Sequence, residues 1–364
     1  METLIIGGGV VGLSIAYGLL KLDEDVLVIN DVTDTHSASR GNFGLIWSQG
    51  KGEFSTEYAS WTQKSISLWP NLANELKDLT GIDVMLELDG GIEYFTVHEE
   101  MDRHIEILNQ IHAKSDSNNK FKVLSNSQLK SYVPEIGPKV VGATLQPGDG
   151  HVNPLYLLNA LSSAVLLKGG KLKNGIKATS IERVGNKFIT LLKDGNEIIT
   201  DRVIIAAGLG STNIAKMLNF KSPIRPLHGQ LMITEKLPHF LRYPSVNIRQ
   251  VNEGGVQIGG SEVDRGFDDK ESLSIVSELA RDAVDIFPCL ENVNLIRSWG
   301  CLRIMTPDGL PIYQQSIENE GAFFITCHSG ITLAACHTEL LARWIVGTKD
   351  APDLSIFEED RFDV

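Results

Sequence analysis

At 364 residues, with 42% hydrophobic content, the chain is too long for one ordinary core, and two domains are expected. A formal net charge of -13 excludes nucleic acid and an anionic membrane surface as natural partners. No apolar run reaches the ~20 residues of a membrane span, and the N-terminus lacks the basic region of a signal peptide, so a cytoplasmic protein is expected.

The first element is decisive. Leu4-Ile5-Ile6 is an apolar run that stops in Gly7-Gly8-Gly9, and Val10-Val11-Gly12 opens a small-residue helix through Lys21. A second apolar run, Val26 to Ile29, follows. This strand–turn–helix–strand unit of about 30 residues carries G-x-G-x-x-G in the context that dinucleotide binding requires. Gly7 serves the tight turn, Gly9 the approach of backbone to a pyrophosphate, and Gly12 the close packing of helix on strand. Free N–H groups and the helix dipole face the phosphates. An acidic residue ordinarily ends the second strand and binds the ribose. Here Asn30 stands in that place, followed by Asp31, and either can accept a ribose hydroxyl. No basic residue is present to receive a 2′-phosphate, which argues against NADP.

A polar stretch, Asn30 to Ser39, leads to Ser39-Arg40-Gly41-Asn42-Phe43-Gly44-Leu45-Ile46-Trp47, where small residues among aromatics suit backbone lying against a flat ligand. Glu57 to Leu79 has helical periodicity, with Pro70 expected to kink or divide it. Val84 to Val97 alternates around Asp89-Gly90-Gly91 and predicts a hairpin. Met101 to Ala113 reads as an amphipathic helix, residues 114–120 as a solvated loop, and Gln128 to Tyr132 as a short helix. His151-Val152-Asn153-Pro154 starts a helix that Gly169-Gly170 ends. Short strands follow, then Val203 to Gly208, an apolar strand ending in small residues as a buried parallel strand does. Residues 221–293 return to short alternating strands and one helix, Ser272 to Phe287. The blocks 83–142 and 221–294 lack Rossmann character and are expected to form one substrate domain with an antiparallel sheet. The chain closes on the strand Ala322 to Thr326, the segment Cys327-His328-Ser329-Gly330-Ile331-Thr332, and a long helix to about Val346. Cys289, Cys301, Cys327 and Cys336 have no C-x-x-C spacing; they read as free thiols in a reducing compartment, with no metal expected.

Taken in order, these pieces resemble the D-amino-acid-oxidase-like flavoproteins, the group containing glycine oxidase and sarcosine oxidase, from end to end. The resemblance rests on Gly7 to Gly12, His151 to Pro154, Val203 to Gly208, Pro226 to Gln230, Ile258-Gly259-Gly260, Trp299 to Pro311 and Cys327 to Ala334. Arg40 to Leu45 and Cys327 to Ala334 look closest to the β-type subunits of opine oxidases, hydrogen cyanide synthase and dye-linked proline or hydroxyproline dehydrogenases.

The resemblance implies an α/β fold: a discontinuous Rossmann-like FAD-binding domain (1–82, 143–220, 295–364) and an α+β substrate domain (83–142, 221–294). It implies FAD rather than NAD, held non-covalently, because the cysteine that some sarcosine-oxidase relatives bond to flavin has no counterpart here. It implies oxidation of a small amino acid or secondary-amine acid by hydride transfer to the flavin. Arg303 stands where relatives clamp the substrate carboxylate, flanked by Cys301 and Ile304 where glycine and proline are usual. His328 is expected at flavin or substrate, and Gly330, Ile331 and Thr332 open the helix that points at the flavin pyrimidine ring. Further expected cofactor contacts are Ser39, Arg40, Gly41 and Asn42 at the pyrophosphate or ring, Ala178 at the adenine, and Ala207 and Gly208 beside the pyrophosphate. Electrons would pass to oxygen, or to redox partner subunits if the chain is a β-type subunit. An NAD-dependent dehydrogenase and a flavin-containing assembly subunit without turnover are the competing readings.

Overall fold

A computed structural model describes residues 2–31, 37–114 and 120–362. Residues 32–36 of the polar stretch and 115–119 of the expected loop lie outside the described residues. Strand β1 (Glu2–Ile6), helix α1 (Val10–Lys21) and strand β2 (Asp25–Asn30) form the unit read from the fingerprint. They sit inside a six-stranded sheet ordered 312–315, 322–326, 202–205, 2–6, 25–30, 171–174. All neighbours pair in parallel except the edge strand Ile312–Gln315. Alternate residues of each strand enter opposite cores. Ile5, Val28, Ile204 and Phe323 face one side with α1 and the final helices; Leu4, Ile29, Val203 and Phe324 face the other with Phe188 and Phe220.

Gly7 has φ +124, a backbone state that L side chains rarely adopt, and this turns the chain from β1 towards α1. A Cβ on Gly12 would collide with the Gly7 carbonyl oxygen, so the helix can pack this close only on glycine.

A four-stranded antiparallel sheet, ordered 248–250, 255–258, 225–236, 295–305, and a three-stranded one, ordered 91–95, 142–146, 122–125, share a single apolar core. Ile92, Leu124 and Leu145 meet Met232, Ile258 and Phe287 there. The strand Leu295–Met305, on the FAD side of the expected boundary at 295, is bonded along its length to Arg225–Lys236 in this sheet.

Two local expectations are corrected. The segment before Gly91 forms no hairpin with the strand Gly91–Phe95. That strand pairs with Gly142–Gln146, while Glu87 bridges to His151. Pro70 neither divides nor ends its helix, which runs unbroken over Thr56–Thr80. Pro70 is exposed there, while buried Trp69, Leu72 and Leu76 supply the packing that holds the helix together. The final helix starts at Gly330 but carries a π-helical turn at His337–Leu341 before it resumes over Ala342–Val346. No helix among the described residues is long and apolar enough to cross a membrane.

Candidate active site

Two connected cavities run from the carboxyl ends of the parallel strands into the antiparallel sheet. The larger, about 930 Å³, is lined by Gly7, Gly8, Gly9, Val11, Asn30, Asp31, Ser39, Arg40, Ala178, Ala207 and Gly208. The smaller, about 420 Å³, is lined by Gly41, Asn42, Phe43, Trp47, Lys51, Arg303, His328, Ile331 and Thr332, among others. Ala38, Leu302 and Ile304 line both. Of the residues singled out in the sequence, Val10, Gly12 and Gly330 line neither cavity. The Val10 amide is taken by Ser39 Oγ at 3.0 Å, and Gly330 lies against Val11. These three shape the wall from behind.

The larger cavity fits an extended dinucleotide. Its volume is at the upper end of the roughly 300–1,000 Å³ of ligand sites. Its donors are the amides at the start of α1 beyond Val10, which lack helical acceptors, and Arg40 lines the same cleft. At the end of β2 Asn30 Oδ1 accepts the Gly8 amide at 3.3 Å, and Asn30 Nδ2 donates to Asn174 Oδ1 at 3.3 Å. The Asp31 carboxylate pairs with Lys177 at 3.1 Å. The uncharged Asn30 side chain thus braces the glycine turn while lining the cleft.

The smaller cavity has two walls of different origin. One is the turn between the strand Ala322–Thr326 and the final helix. The Thr332 carbonyl accepts from Ser65 Oγ at 2.7 Å and Trp69 Nε1 at 3.0 Å, so the helix Thr56–Thr80 fixes this turn. Thr332 Oγ1 accepts the Trp47 amide at 3.3 Å and donates to the Leu45 carbonyl at 3.2 Å, which fastens the aromatic loop to the same place. The His328 ring faces the cavity. Its side chain is exposed to the open cavity, yet the protein around it displaces bulk water and lowers its pKa to about 4, with the cations of Lys51 and then Arg303 adding to that, so it is neutral at physiological pH.

The other wall is the antiparallel sheet. Arg303, opposite Leu227 in the register, donates from Nη1 to the carbonyls of Ser261 at 2.8 Å and His228 at 3.3 Å. No carboxylate pairs with it among the described residues, and Nε and Nη2 make no hydrogen bond. Its room comes from Gly229: a Cβ there would lie 2.5 Å from Nη1. Behind Phe43, the buried Arg249 lies 5.5 Å from the ring centroid and is held by Gln257 Oε1 at 2.9 Å and the Val152 carbonyl at 2.9 Å. Its Nη1 donates to His151 Nδ1 at 2.8 Å, which leaves Nε2 of that histidine to face Glu87. The His151–Pro154 segment is therefore a structural clamp beneath the cavity.

The FAD dependent oxidoreductase family, DAO, matches residues 2–344. The chain belongs to this family. The B subunit of opine oxidase from Rhizobium meliloti is 39% identical over 364 residues, covering 100% of this chain and 98% of that protein. The HcnC subunit of hydrogen cyanide synthase from Pseudomonas aeruginosa is 26% identical over 99% of this chain and 96% of its own. The crystal structure of glycine oxidase from Geobacillus kaustophilus superposes with a TM-score of 0.89 at 26% identity, over 98% of this chain and 97% of that one. The protein is an FAD-dependent oxidoreductase, not the nicotinamide-dependent dehydrogenase that the fingerprint alone also permits.

Lys51, Gly229 and Arg249 belong to the site without having stood out in the sequence. Lys51 had one local signal: it sits between Gly50 and Gly52, both in left-handed backbone. Gly229 stood only within the family segment Pro226 to Gln230, with no role assigned, and Arg249 gave no signal, because their roles exist only across strands.

Proposed function

We propose that this protein oxidises the C–N bond of a small amino acid or secondary-amine acid of the glycine, sarcosine, proline, hydroxyproline or opine class, and that it does so as a β-type subunit. The observation carrying this is Arg303: a guanidinium in the cavity that continues the FAD cleft, tied only to backbone carbonyls and with Nε and Nη2 open. That fork suits a carboxylate, which would set the substrate carbon at a fixed distance from the cofactor.

FAD, when bound, accepts the hydride from the carbon beside the nitrogen. Gly7, Gly9 and Val11 would cradle its diphosphate with Ser39, Arg40, Ala207 and Gly208, and Asn30, Asp31 and Ala178 would hold ribose and adenine. Gly41, Asn42, Gly330, Ile331 and Thr332 would surround the ring, with Val10 and Gly12 shaping the turn. Neutral His328 is a poor base near pH 7 and serves as an uncharged wall that orients substrate. Burial raises the pKa of Cys301 and lifts that of Cys327 to about 12, so both thiols stay protonated, which favours non-covalent FAD. The same reading divides the chain into an FAD-binding part (1–82, 143–220, 295–364) and a substrate part (83–142, 221–294), with the strand Leu295–Met305 joining them. Electron transfer to a redox partner is favoured by the 39% identity with one component, the B subunit, of opine oxidase.

The test is a visible spectrum of the purified protein, recorded anaerobically before and after adding amino and imino acids. Bleaching of the flavin band by one of them supports the reading. Recovery of colour in air marks an oxidase, whereas persistence of the bleached state marks a protein that needs its partner. A protein that neither carries nor takes up FAD would sink the proposal.

A further inference from the structure

Lys51 is a partly buried cation that neither holds the dinucleotide nor clamps the substrate. Its Nζ donates to Ser329 Oγ at 2.7 Å and to Thr332 Oγ1 at 3.2 Å, and no carboxylate pairs with it among the described residues. The nearest acid that influences it is Asp149, whose oxygens are occupied by the Ser48 amide and hydroxyl and by Gln49. Ser329 also accepts from Tyr58 at 3.0 Å, and it makes no cap to the helix that it precedes. An ammonium partly withdrawn from water and held only by neutral hydroxyls is costly, and it lines the cavity. The geometry therefore calls for an anion from the occupant of that cavity.

Two anions are available, the substrate carboxylate and the charge gained by reduced FAD. Arg303 offers the planar fork for the first. Lys51 is a point charge fastened to the turn at Ser329 and Thr332. With FAD seated as proposed, that turn lies against the flavin ring. Oxidation of the substrate removes a hydride, two electrons and one proton, from the carbon beside nitrogen. This leaves an iminium ion and adds one negative charge to the flavin. We propose that Lys51 supplies the positive charge that offsets this negative charge, and thereby sets how readily the enzyme is reduced. The inference rests on the FAD site proposed above.

Sulfite tests it without any substrate, because it adds to oxidised flavin and leaves a negative charge on the ring. Titration of the flavin-containing protein is expected to show sulfite affinity in Lys51→Met weaker by on the order of tenfold or more, with Lys51→Arg close to the wild type. Unchanged affinity in Lys51→Met overturns the proposal. If Lys51→Met is recovered without flavin, Lys51→Gln is titrated instead, since it removes the charge but keeps a donor for Ser329 Oγ; affinity equal to wild type there also overturns it. A wild-type protein that takes up no flavin sinks the underlying reading. A wild-type protein that binds FAD and sulfite, with Lys51→Met identical to it, sinks only the role of Lys51.

Discussion

The carbonyl oxygen of Ser261 holds Nη1 of Arg303 at 2.8 Å, so the guanidinium is anchored by neutral backbone and its charge is left for the cavity. Arg303→Ala is expected to raise the Kd of a turned-over acid by roughly 10–100-fold, the worth of a charged hydrogen-bonded pair. Flavin content should be unchanged. Substrate titrations with equal affinity in both proteins would remove Arg303 from the carboxylate role. Arg303→Lys recovers only part of the loss, since a point charge replaces a fork.

Gly229→Ala tests the same site from behind. The new Cβ would lie 2.5 Å from Nη1 of Arg303, and the flexible guanidinium, rather than the strand, is what gives way. KM is expected to rise with little change in thermal stability. A crystal structure of the variant with Arg303 unmoved and KM unchanged would refute this.

Asp149 organises the segment that carries Lys51. It is fully buried and accepts from Ser48 Oγ at 2.6 Å, the Ser48 amide at 2.8 Å and Gln49 Nε2 at 3.3 Å. Asp149→Ala leaves these donors without partners and is expected to cost about 2–4 kcal/mol, read from the midpoint of urea unfolding. Asp149→Asn keeps an acceptor and should lose less.

Lys51 in the cavity and the buried Asp149 that acts on it fix the pH response. Burial lowers the pKa of Lys51 to about 8, with Asp149 and Cys327 opposing. Its folded pKa lies below the unfolded value, so the charge is present below about pH 8 and lost above it. Its cost to stability is therefore full below pH 8 and is relieved as pH rises towards the unfolded value. Sulfite affinity should fall through pH 8 in the wild type, and this step should vanish in Lys51→Met. Around Lys51, Asp149 titrates near pH 7, His328 near pH 4 and Cys327 near pH 12, while Tyr58 is pushed well above its ordinary value. A step near pH 7 combines Asp149 with the ionisation of bisulfite itself and should survive in Lys51→Met. Removing the Lys51 cation should also raise the pKa of His328, which an NMR titration of its ring would detect.

Gly12→Ala places a methyl group against the Gly7 carbonyl in the turn before α1. Overpacking between two fixed backbone segments is expected to cost about 1–3 kcal/mol and to release FAD. Retention of flavin at the wild-type melting temperature would show that the turn can yield.

The sequence was most legible where function is local. Gly7, Gly9 and Gly12 with the flanking apolar runs were enough to locate the strand–turn–helix unit beside the larger cavity, because turn, helix start and strand end are set by neighbours in the chain. The two blocks 83–142 and 221–294 were recognisable by their alternation, and their strands do share one core. Where local pattern met long-range pairing, the pairing won. The alternation around Asp89-Gly90-Gly91 suggested a hairpin, yet Gly91–Phe95 found its partner in Gly142–Gln146, which buries Ile92 and Tyr94 against Phe287. Pro70 signalled a break, yet the apolar face of its helix was strong enough to hold one continuous element.

By itself, then, the sequence determined the parallel unit, its glycine turn and the order of the segments that reach the cleft. Only the tertiary structure decided the charge pattern of the smaller cavity. Lys51 and Ser329 are 278 positions apart, and Arg303 owes its open fork to the backbone of Ser261 and the missing side chain of Gly229. Local conformational preference acts over a few residues, whereas the desolvation and pairing of buried charges depend on every element that closes around them.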